Sequence, residues 1–156
     1  MNRTLFIFIA ILSFQIAIYS QDETSQEETS QKLLQQGVQK QVERNYEEAL
    51  NIFNKGLELA KKEGDKKTIG YFIKSIGDSY SNLKKHEEAL KYYEEALNIA
   101  KDIEDRELEA KILNNIGNVY LSLKKREEAL KKYEEALNIA KEIGNEELQF
   151  KLFHNM

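Results

Sequence analysis

The sequence predicts an all-α fold, a solenoid of antiparallel helix pairs with about three pairs and one extra C-terminal helix. The first observation is an internal repeat: residues 84–101 are KKHEEALKYYEEALNIAK, and residues 124–141 are KKREEALKKYEEALNIAK. Sixteen of these 18 positions agree at an offset of 40 residues, and such a period is typical of stacked repeat arrays. The second observation is helical spacing, because the apolar residues of each copy recur every three or four positions.

Each period contains two predicted helices. The first helices lie near residues 31–42, 66–83, 106–123 and 146–156, and the second helices near 46–63, 86–103 and 126–143. Gly64-Asp65, Glu104-Asp105 and Gly144-Asn145 separate the repeats, where Gly suits a left-handed C-terminal position and Asp or Asn can cap the next helix. A pair of glutamates follows the start of every second helix, where the helix dipole favours carboxylates, so we interpret these pairs as structural.

The repeated residues carry a family pattern. An apolar residue, Gly, Tyr and then spaced alanines recur in both strong copies, at Gly77, Tyr80, Ala89 and Ala96, and at Gly117, Tyr120, Ala129 and Ala136. This pattern resembles the tetratricopeptide repeat. The 40-residue period and the absence of Pro make it similar to the longer repeats of kinesin light chains and G-protein-signalling modulators. The resemblance implies a right-handed superhelical domain over residues 32–156, with repeats at about 30–63, 66–103 and 106–143 and a partial repeat at 146–156.

The recurrent Gly has a physical interpretation of its own. Gly in a helix interior costs about 1 kcal/mol relative to Ala, yet Gly37, Gly77 and Gly117 occupy one register of three successive first helices. We predict a close approach of two helices, with Gly77 facing Ala89 and Ala96.

Composition excludes several functional classes. The chain has no Cys, so it contains neither disulfides nor thiolate metal sites. His86 and His154 are its two histidines, and the sequence has no phosphate-binding loop, His-Glu-x-x-His motif, calcium loop or nucleophile elbow. We therefore predict that the chain is not an enzyme and uses no cofactor and no metal. His86 is replaced by Arg126 in the next copy, which indicates a solvated residue at a helix start.

The N-terminus predicts export. Met1–Ser20 begins with Asn2-Arg3, continues with an apolar block from Leu5 to Tyr19 and ends in Ser20, which is the layout of a secretory signal peptide. An uncleaved membrane anchor is the alternative. Removal of this segment takes away Arg3 and changes the net charge from −4 to −5, which argues against a nucleic-acid partner. Residues 21–31, QDETSQEETSQ, are predicted to be a disordered linker.

The polar residues of the first helices predict a peptide-binding concave face, because first helices line the inside of a curved helical array. The candidate residues are Tyr71, Lys74, Asp78, Lys111, Asn114, Asn115, Asn118 and Lys151. Asn side chains both donate and accept, so they can hold a peptide backbone without dictating its sequence. In the resembling family, Asn residues beside the apolar-Gly step contact bound peptide, and Asn115-Ile116-Gly117-Asn118 is similar to that motif.

Comparison with the carboxylate-clamp members of the family gives a second interpretation of this face. Lys74, Asn115 and Lys151 occupy matching places, but Asp78 and Asn155 stand where the clamp has Asn and Arg, so a carboxylate ligand would meet Asp78. The third interpretation is that these residues form a solvated surface and bind no ligand.

Three hypotheses for the whole chain remain open at this point. The first is a non-catalytic scaffold outside the cytoplasm that binds an unidentified protein or peptide. The second is a truncated sensory or docking region of a longer signalling protein, such as a histidine kinase, because the last helix is short and apolar. The third is self-association through that same helix.

Overall fold

The computed structural model describes residues 29–156, and in that range the chain forms seven helices and no strand. The first helices are α1 (Ser30–Val42), α3 (Lys66–Asn82), α5 (Arg106–Ser122) and α7 (Glu146–Asn155), and the second helices are α2 (Tyr46–Glu63), α4 (His86–Asp102) and α6 (Arg126–Glu142). Every predicted helix boundary agrees with the structure within one residue. The predicted signal peptide and most of the predicted linker lie outside the described residues.

The helices form a solenoid of antiparallel pairs, as predicted. Short turns join consecutive helices, each helix packs against the next, and each first helix also touches the following first helix. Because α1, α3, α5 and α7 are neighbours in this way, their exposed sides form one continuous surface. This row of first helices is the surface on which the candidate residues lie.

The helix starts follow the predicted capping chemistry between repeats. Asp65, Asp105 and Asn145 accept hydrogen bonds through their side chains from backbone N–H groups three residues on, at 3.1, 2.9 and 2.9 Å. The Thr68 hydroxyl and amide hold the pKa of Asp65 below its usual range. The preceding residues, Gly64, Glu104 and Gly144, have φ values of 73°, 56° and 65°, so the predicted left-handed position exists in each turn.

The first helix begins slightly earlier than the sequence predicts. The Thr29 hydroxyl accepts a hydrogen bond from the Lys32 amide at 3.3 Å and caps α1. Ser30 and Gln31, the last two residues of the predicted disordered linker, therefore lie in the first turn of α1. A local capping bond is enough to move this boundary because the first turn of a helix has N–H groups with no intrahelical partner.

The recurrent glycines permit a close approach, but the neighbour is not the predicted one. A Cβ placed on Gly77 would lie 2.8 Å from Cδ1 and Cε1 of the Tyr93 ring, and those ring atoms, not Ala89 or Ala96, are its nearest neighbours. The same Cβ on Gly117 would lie 2.5 Å from Cε1 of Tyr133. In each repeat a second-helix aromatic ring fills the space that the first-helix glycine leaves.

The remaining signature residues pack as the repeat pattern predicts. Ala89, Ala96, Ala129 and Ala136 are buried on the second helices, whereas Tyr80 and Tyr120 are half-buried at the edge of the core. The Tyr80 ring also stacks on Tyr92, with centroids 5.3 Å apart. Small residues therefore lie where two helices approach closely, and the larger aromatic rings lie at the edges of the helix–helix contacts.

Adding one methyl group at Gly117 should destabilise the protein. We expect Gly117→Ala to lower the free energy of unfolding by ~1–3 kcal/mol, because the Tyr133 ring has to shift, even after the gain of about 1 kcal/mol in helix propensity. The matched control is Gly70→Ala, whose Cβ would lie 3.2 Å from its nearest neighbours, on Ile99 and Leu108, and which should lose less. Thermal unfolding followed by circular dichroism measures both, and an equal or smaller loss for Gly117→Ala would contradict the ring contact.

Candidate functional site

The exposed sides of α3, α5 and α7 line a groove with a volume of about 570 Å³. Most of its lining residues are polar or charged. They are Gln41, Lys74, Asp78, Ser81, Asn82, Tyr93, Glu107, Lys111, Asn114, Asn115, Asn118, Asn145, Glu147, Leu148 and Lys151. The volume is within the usual ~300–1,000 Å³ of ligand pockets, and the surface is open along the row of first helices.

Seven of the eight predicted site residues meet in this groove. Tyr71 is the exception, because its side chain is half-buried against the hydrophobic core and does not line the groove. The other seven line the groove because of their register on the first helices. Their role in binding stays a prediction.

Asp78 is the centre of the polar network in the groove. Its Oδ2 accepts a hydrogen bond from Lys74 Nζ at 2.6 Å, and its Oδ1 accepts from the Tyr93 hydroxyl and from Asn115 Nδ2, each at 2.7 Å. These donors come from α3, α4 and α5. Both carboxylate oxygens are therefore engaged within the protein, and the charge of Lys74 is balanced by its own neighbour.

The tyrosines behind the glycines also reach the groove. Burial raises the pKa of Tyr93, and the nearby charge of Asp78 raises it further, so its hydroxyl stays protonated and donates to Asp78. Burial likewise raises the pKa of Tyr133, whose hydroxyl donates to Asn118 Oδ1 at 2.7 Å. In the second and third repeats, one tyrosine therefore fills the gap beside a glycine and orients a polar residue of the groove.

The first repeat lacks this polar connection. It has Phe53 where the later repeats have Tyr, and Val38 where they have Asp78 and Asn118. Phe53 packs against Gly37, but it has no hydroxyl to offer the groove. The hydrogen bond from a core aromatic side chain to a groove residue is therefore found in the second and third repeats and not in the first.

Side-chain amides connect each first helix to the next. Gln41 Nε2 of α1 donates to the Ser75 carbonyl and to Ser79 Oγ of α3, each at 2.9 Å. Asn115 of α5 donates to Asp78 of α3, and Asn155 of α7 donates to Asn114 Oδ1 of α5 at 2.7 Å. The floor of the groove is consequently held together by amide hydrogen bonds between helices.

These bonds change how the predicted asparagines can be used. Asn114 is buried, accepts from Asn155 and donates to Asn115 at 3.2 Å, and Asn115 in turn donates to Asp78. The side-chain amides of Asn114 and Asn115 are therefore used in hydrogen bonds within the protein. Asn118 is exposed and uses only its oxygen, for Tyr133, so its N–H groups have no partner among residues 29–156.

The groove is close to electrically neutral. Lys111 Nζ pairs with Glu107 Oε1 at 2.6 Å, as Lys74 does with Asp78. Lys151 and Glu147, both exposed on α7, have no ion-pair partner within the described part of the chain. Because Lys74 forms an ion pair with Asp78, the groove does not present the cluster of unpaired cations that a carboxylate clamp needs.

The described residues show neither a metal site nor a membrane-spanning helix. Between residues 29 and 156, no three His, Cys, Asp or Glu side chains gather in a metal-binding group, and no helix is both long and apolar enough to span a bilayer. His86 begins α4, but it is half-buried and its Nδ1 is shielded from solvent without a hydrogen-bond partner in that range. The prediction that His86 is a solvated residue is therefore wrong for this nitrogen.

Sequence reasoning missed several groove residues, among them Gln41, Tyr93, Glu107 and Glu147. A signal for Tyr93 is present in the repeats themselves. The second-helix aromatic residue is Tyr in the repeats that have a polar residue fifteen positions before it. In the first repeat the aromatic residue is Phe53, and the residue fifteen positions before it is the apolar Val38. Gln41, Glu107 and Glu147 have no such signal, because their role depends on the spacing between neighbouring helices.

Comparison with known proteins supports the repeat assignment. The model of the tetratricopeptide repeat matches residues 72–142, and a model of anaphase-promoting complex subunit 5 matches residues 19–78. No curated protein matches the sequence significantly.

Solved structures share the fold at low sequence identity. BtubC (BKLC) from P. vanneervenii is 21% identical with a TM-score of 0.69, over 80% of this chain and 52% of that one. PcrH, solved with the chaperone binding region of PopB, is 18% identical with a TM-score of 0.63, over 83% of this chain and 96% of PcrH.

A larger protein contains a similar solenoid. A signal transduction ATPase from Pyrococcus horikoshii with a tetratricopeptide repeat sensor is 24% identical with a TM-score of 0.71, over 96% of this chain and 25% of the ATPase. The present chain thus spans about half of BtubC and a quarter of the ATPase.

Proposed function

The chain belongs to the tetratricopeptide-repeat family, and we propose that it is a non-catalytic module that holds an extended peptide segment of a partner protein in the groove of α3, α5 and α7. The observation that carries this proposal is the ordered polar floor of the groove. Tyr93 and Tyr133 fix Asp78 and Asn118 from behind, and amides fix the spacing of the helices. A surface that is organised before binding loses less entropy when a ligand arrives.

The groups that remain available suit a peptide backbone. The N–H groups of Asn118 can donate to a peptide carbonyl, and Lys151 can donate to a carbonyl or pair with an acidic side chain. Glu147, one turn from Lys151 on α7, can accept from a peptide N–H or a basic side chain. With these groups spread along an open groove, the site favours an extended segment over a compact small molecule.

The charge balance of the groove favours recognition that tolerates salt. Lys74 and Lys111 are each paired with an acidic neighbour on their own helix, which leaves Lys151 as the groove cation without an ion-pair partner among residues 29–156. Screening at high ionic strength weakens contacts between exposed charges much more than neutral hydrogen bonds. Neutral hydrogen bonds such as those of the Asn118 N–H groups, and not the lysine charges, therefore supply most of the proposed affinity.

The PcrH complex supports this use of the fold. That protein was solved in complex with the chaperone binding region of PopB, and its structure aligns with 83% of this chain. At 18% identity the likeness shows the fold alone, so the partner of the present chain is a separate question.

A peptide library displayed on phage tests the groove. Peptides enriched on the unaltered chain should bind Asn118→Ala/Lys151→Ala about tenfold more weakly, because each lost polar contact is worth ~0.5–1.5 kcal/mol. The matched control is Lys131→Ala/Asn138→Ala, which removes the same residue types from exposed positions of α6 outside the groove. Affinity should change by less than about threefold between ~0.05 and ~0.5 M salt. An equal loss of affinity in both variants, or no peptide enriched on the unaltered chain, would contradict peptide binding in the groove.

Our proposal for the place of action is outside the cytoplasm. The support is the layout of Met1–Ser20, with its basic start, apolar block and terminal Ser. If the segment is a cleaved signal, the chain recovered from a cell that exports it should begin near Gln21, as measured by intact mass. A chain of full mass in the membrane fraction would indicate the uncleaved anchor, and a chain of full mass in the cytosol would contradict export.

The second candidate is a sensory region of a larger signalling protein. One observation favours it: 96% of this chain aligns with a quarter of a multidomain signal transduction ATPase that has a tetratricopeptide repeat sensor. In that case the same groove would receive the signal molecule or a neighbouring domain. The sequence of the encoding gene beyond Met156 tests this candidate, because a sensory region requires an effector domain in the same reading frame.

A further inference from the structure

The outer face of α7 exposes aromatic and apolar side chains. Phe150, Phe153 and Met156 are 71%, 59% and 49% exposed, whereas Ala110, Leu113 and Ile116, which occupy the same register of α5, are buried. Of these, Ala110 and Leu113 pack in one cluster with residues of α6, the partner of α5 in the repeat. Within residues 29–156, no helix covers the corresponding face of α7.

The size of Phe150 restricts what can cover this face. The same register holds Gly70 on α3 and Ala110 on α5. A Cβ at Gly70 would already lie 3.2 Å from Ile99 of α4 and from Leu108 of α5. A helix seated on α7 as α4 is seated on α3 would therefore collide with the Phe150 ring. The occupant of the α7 face must pack in another geometry.

The charges on α7 favour an antiparallel helix. Glu146 lies in its first turn and His154 in its last turn, whereas Glu147 and Lys151 line the groove on another side of the helix. A second α7 running in the opposite direction would place its His154 beside Glu146, and the two-fold symmetry would repeat this match. A parallel α7 would place like charges together. Antiparallel packing also brings opposite ends of the two helix dipoles together.

We propose that the α7 face binds the α7 face of a second copy of this chain, in an antiparallel two-fold contact centred near Phe150. The contact is essentially one helix pair, smaller than the ~800 Å² per partner of a stable interface. The dimer is accordingly weak and concentration-dependent, and it presents two grooves to one partner.

Sedimentation equilibrium of the full chain tests this contact. The unaltered chain should shift from monomer to dimer as its concentration rises through the micromolar range, whereas Phe150→Glu/Phe153→Glu should stay a monomer over that range with unchanged helical circular dichroism. The control is Val42→Glu, which changes an apolar residue of α1 that is 72% exposed at the other end of the solenoid, and which should dimerise as the unaltered chain does. A monomer at the highest concentration, or a dimer that survives the double substitution, would overturn the proposal.

Disulfide cross-linking tests the orientation, because the sequence has no cysteine of its own. Glu146→Cys and His154→Cys chains should form a mixed disulfide-linked dimer when combined, since antiparallel packing centred near Phe150 brings these positions together. Each variant alone should cross-link at least about tenfold less under the same mild oxidant. Self-linking that equals or exceeds the mixed product would indicate a parallel or random encounter and would overturn the antiparallel contact.

Discussion

The contact between a second-helix aromatic ring and a first-helix glycine determines how each repeat closes. Gly37, Gly77 and Gly117 each lie against the ring of the residue sixteen positions later, and a single added carbon would come within 2.8 Å of that ring in every repeat. The helical cost of glycine, about 1 kcal/mol, is offset by the burial of a whole aromatic side chain. With the ring seated in this way, the two helices of a pair have a fixed distance, and the buried alanines can pack around it.

The same contact also organises the groove. In the second and third repeats the ring belongs to a tyrosine. The Tyr93 hydroxyl donates to Asp78, and the Tyr133 hydroxyl donates to Asn118. Asp78 then connects to α5 through Asn115, and α5 connects to α7 through Asn114 and Asn155. Polar groups that are tied to the core in this way keep their positions without a ligand. The proposed peptide groove is therefore a consequence of repeat packing, and it needs no separate loop.

The sequence predicts the fold more completely than it predicts the contacts of the site. The 40-residue period, the helical spacing and the Asp65, Asp105 and Asn145 caps are local signals, so they gave the helix boundaries within one residue. The neighbour of Gly77, the neutralisation of Lys74 and the scaffold role of Asn114 depend on distances between helices that sequence periodicity does not contain. Register alone also placed Tyr71 with the groove residues, although its ring packs on the core.

A double-mutant cycle at Gly117 and Tyr133 tests the central contact most directly. Tyr133→Val removes every ring atom that a Cβ at position 117 would meet. In that background the account predicts that Gly117→Ala no longer destabilises the protein and raises the free energy of unfolding by up to ~1 kcal/mol, the helix-propensity gain. Urea unfolding of the four chains gives this coupling. If Gly117→Ala lowers stability equally with and without the Tyr133 ring, the ring does not explain the glycine and the account is contradicted.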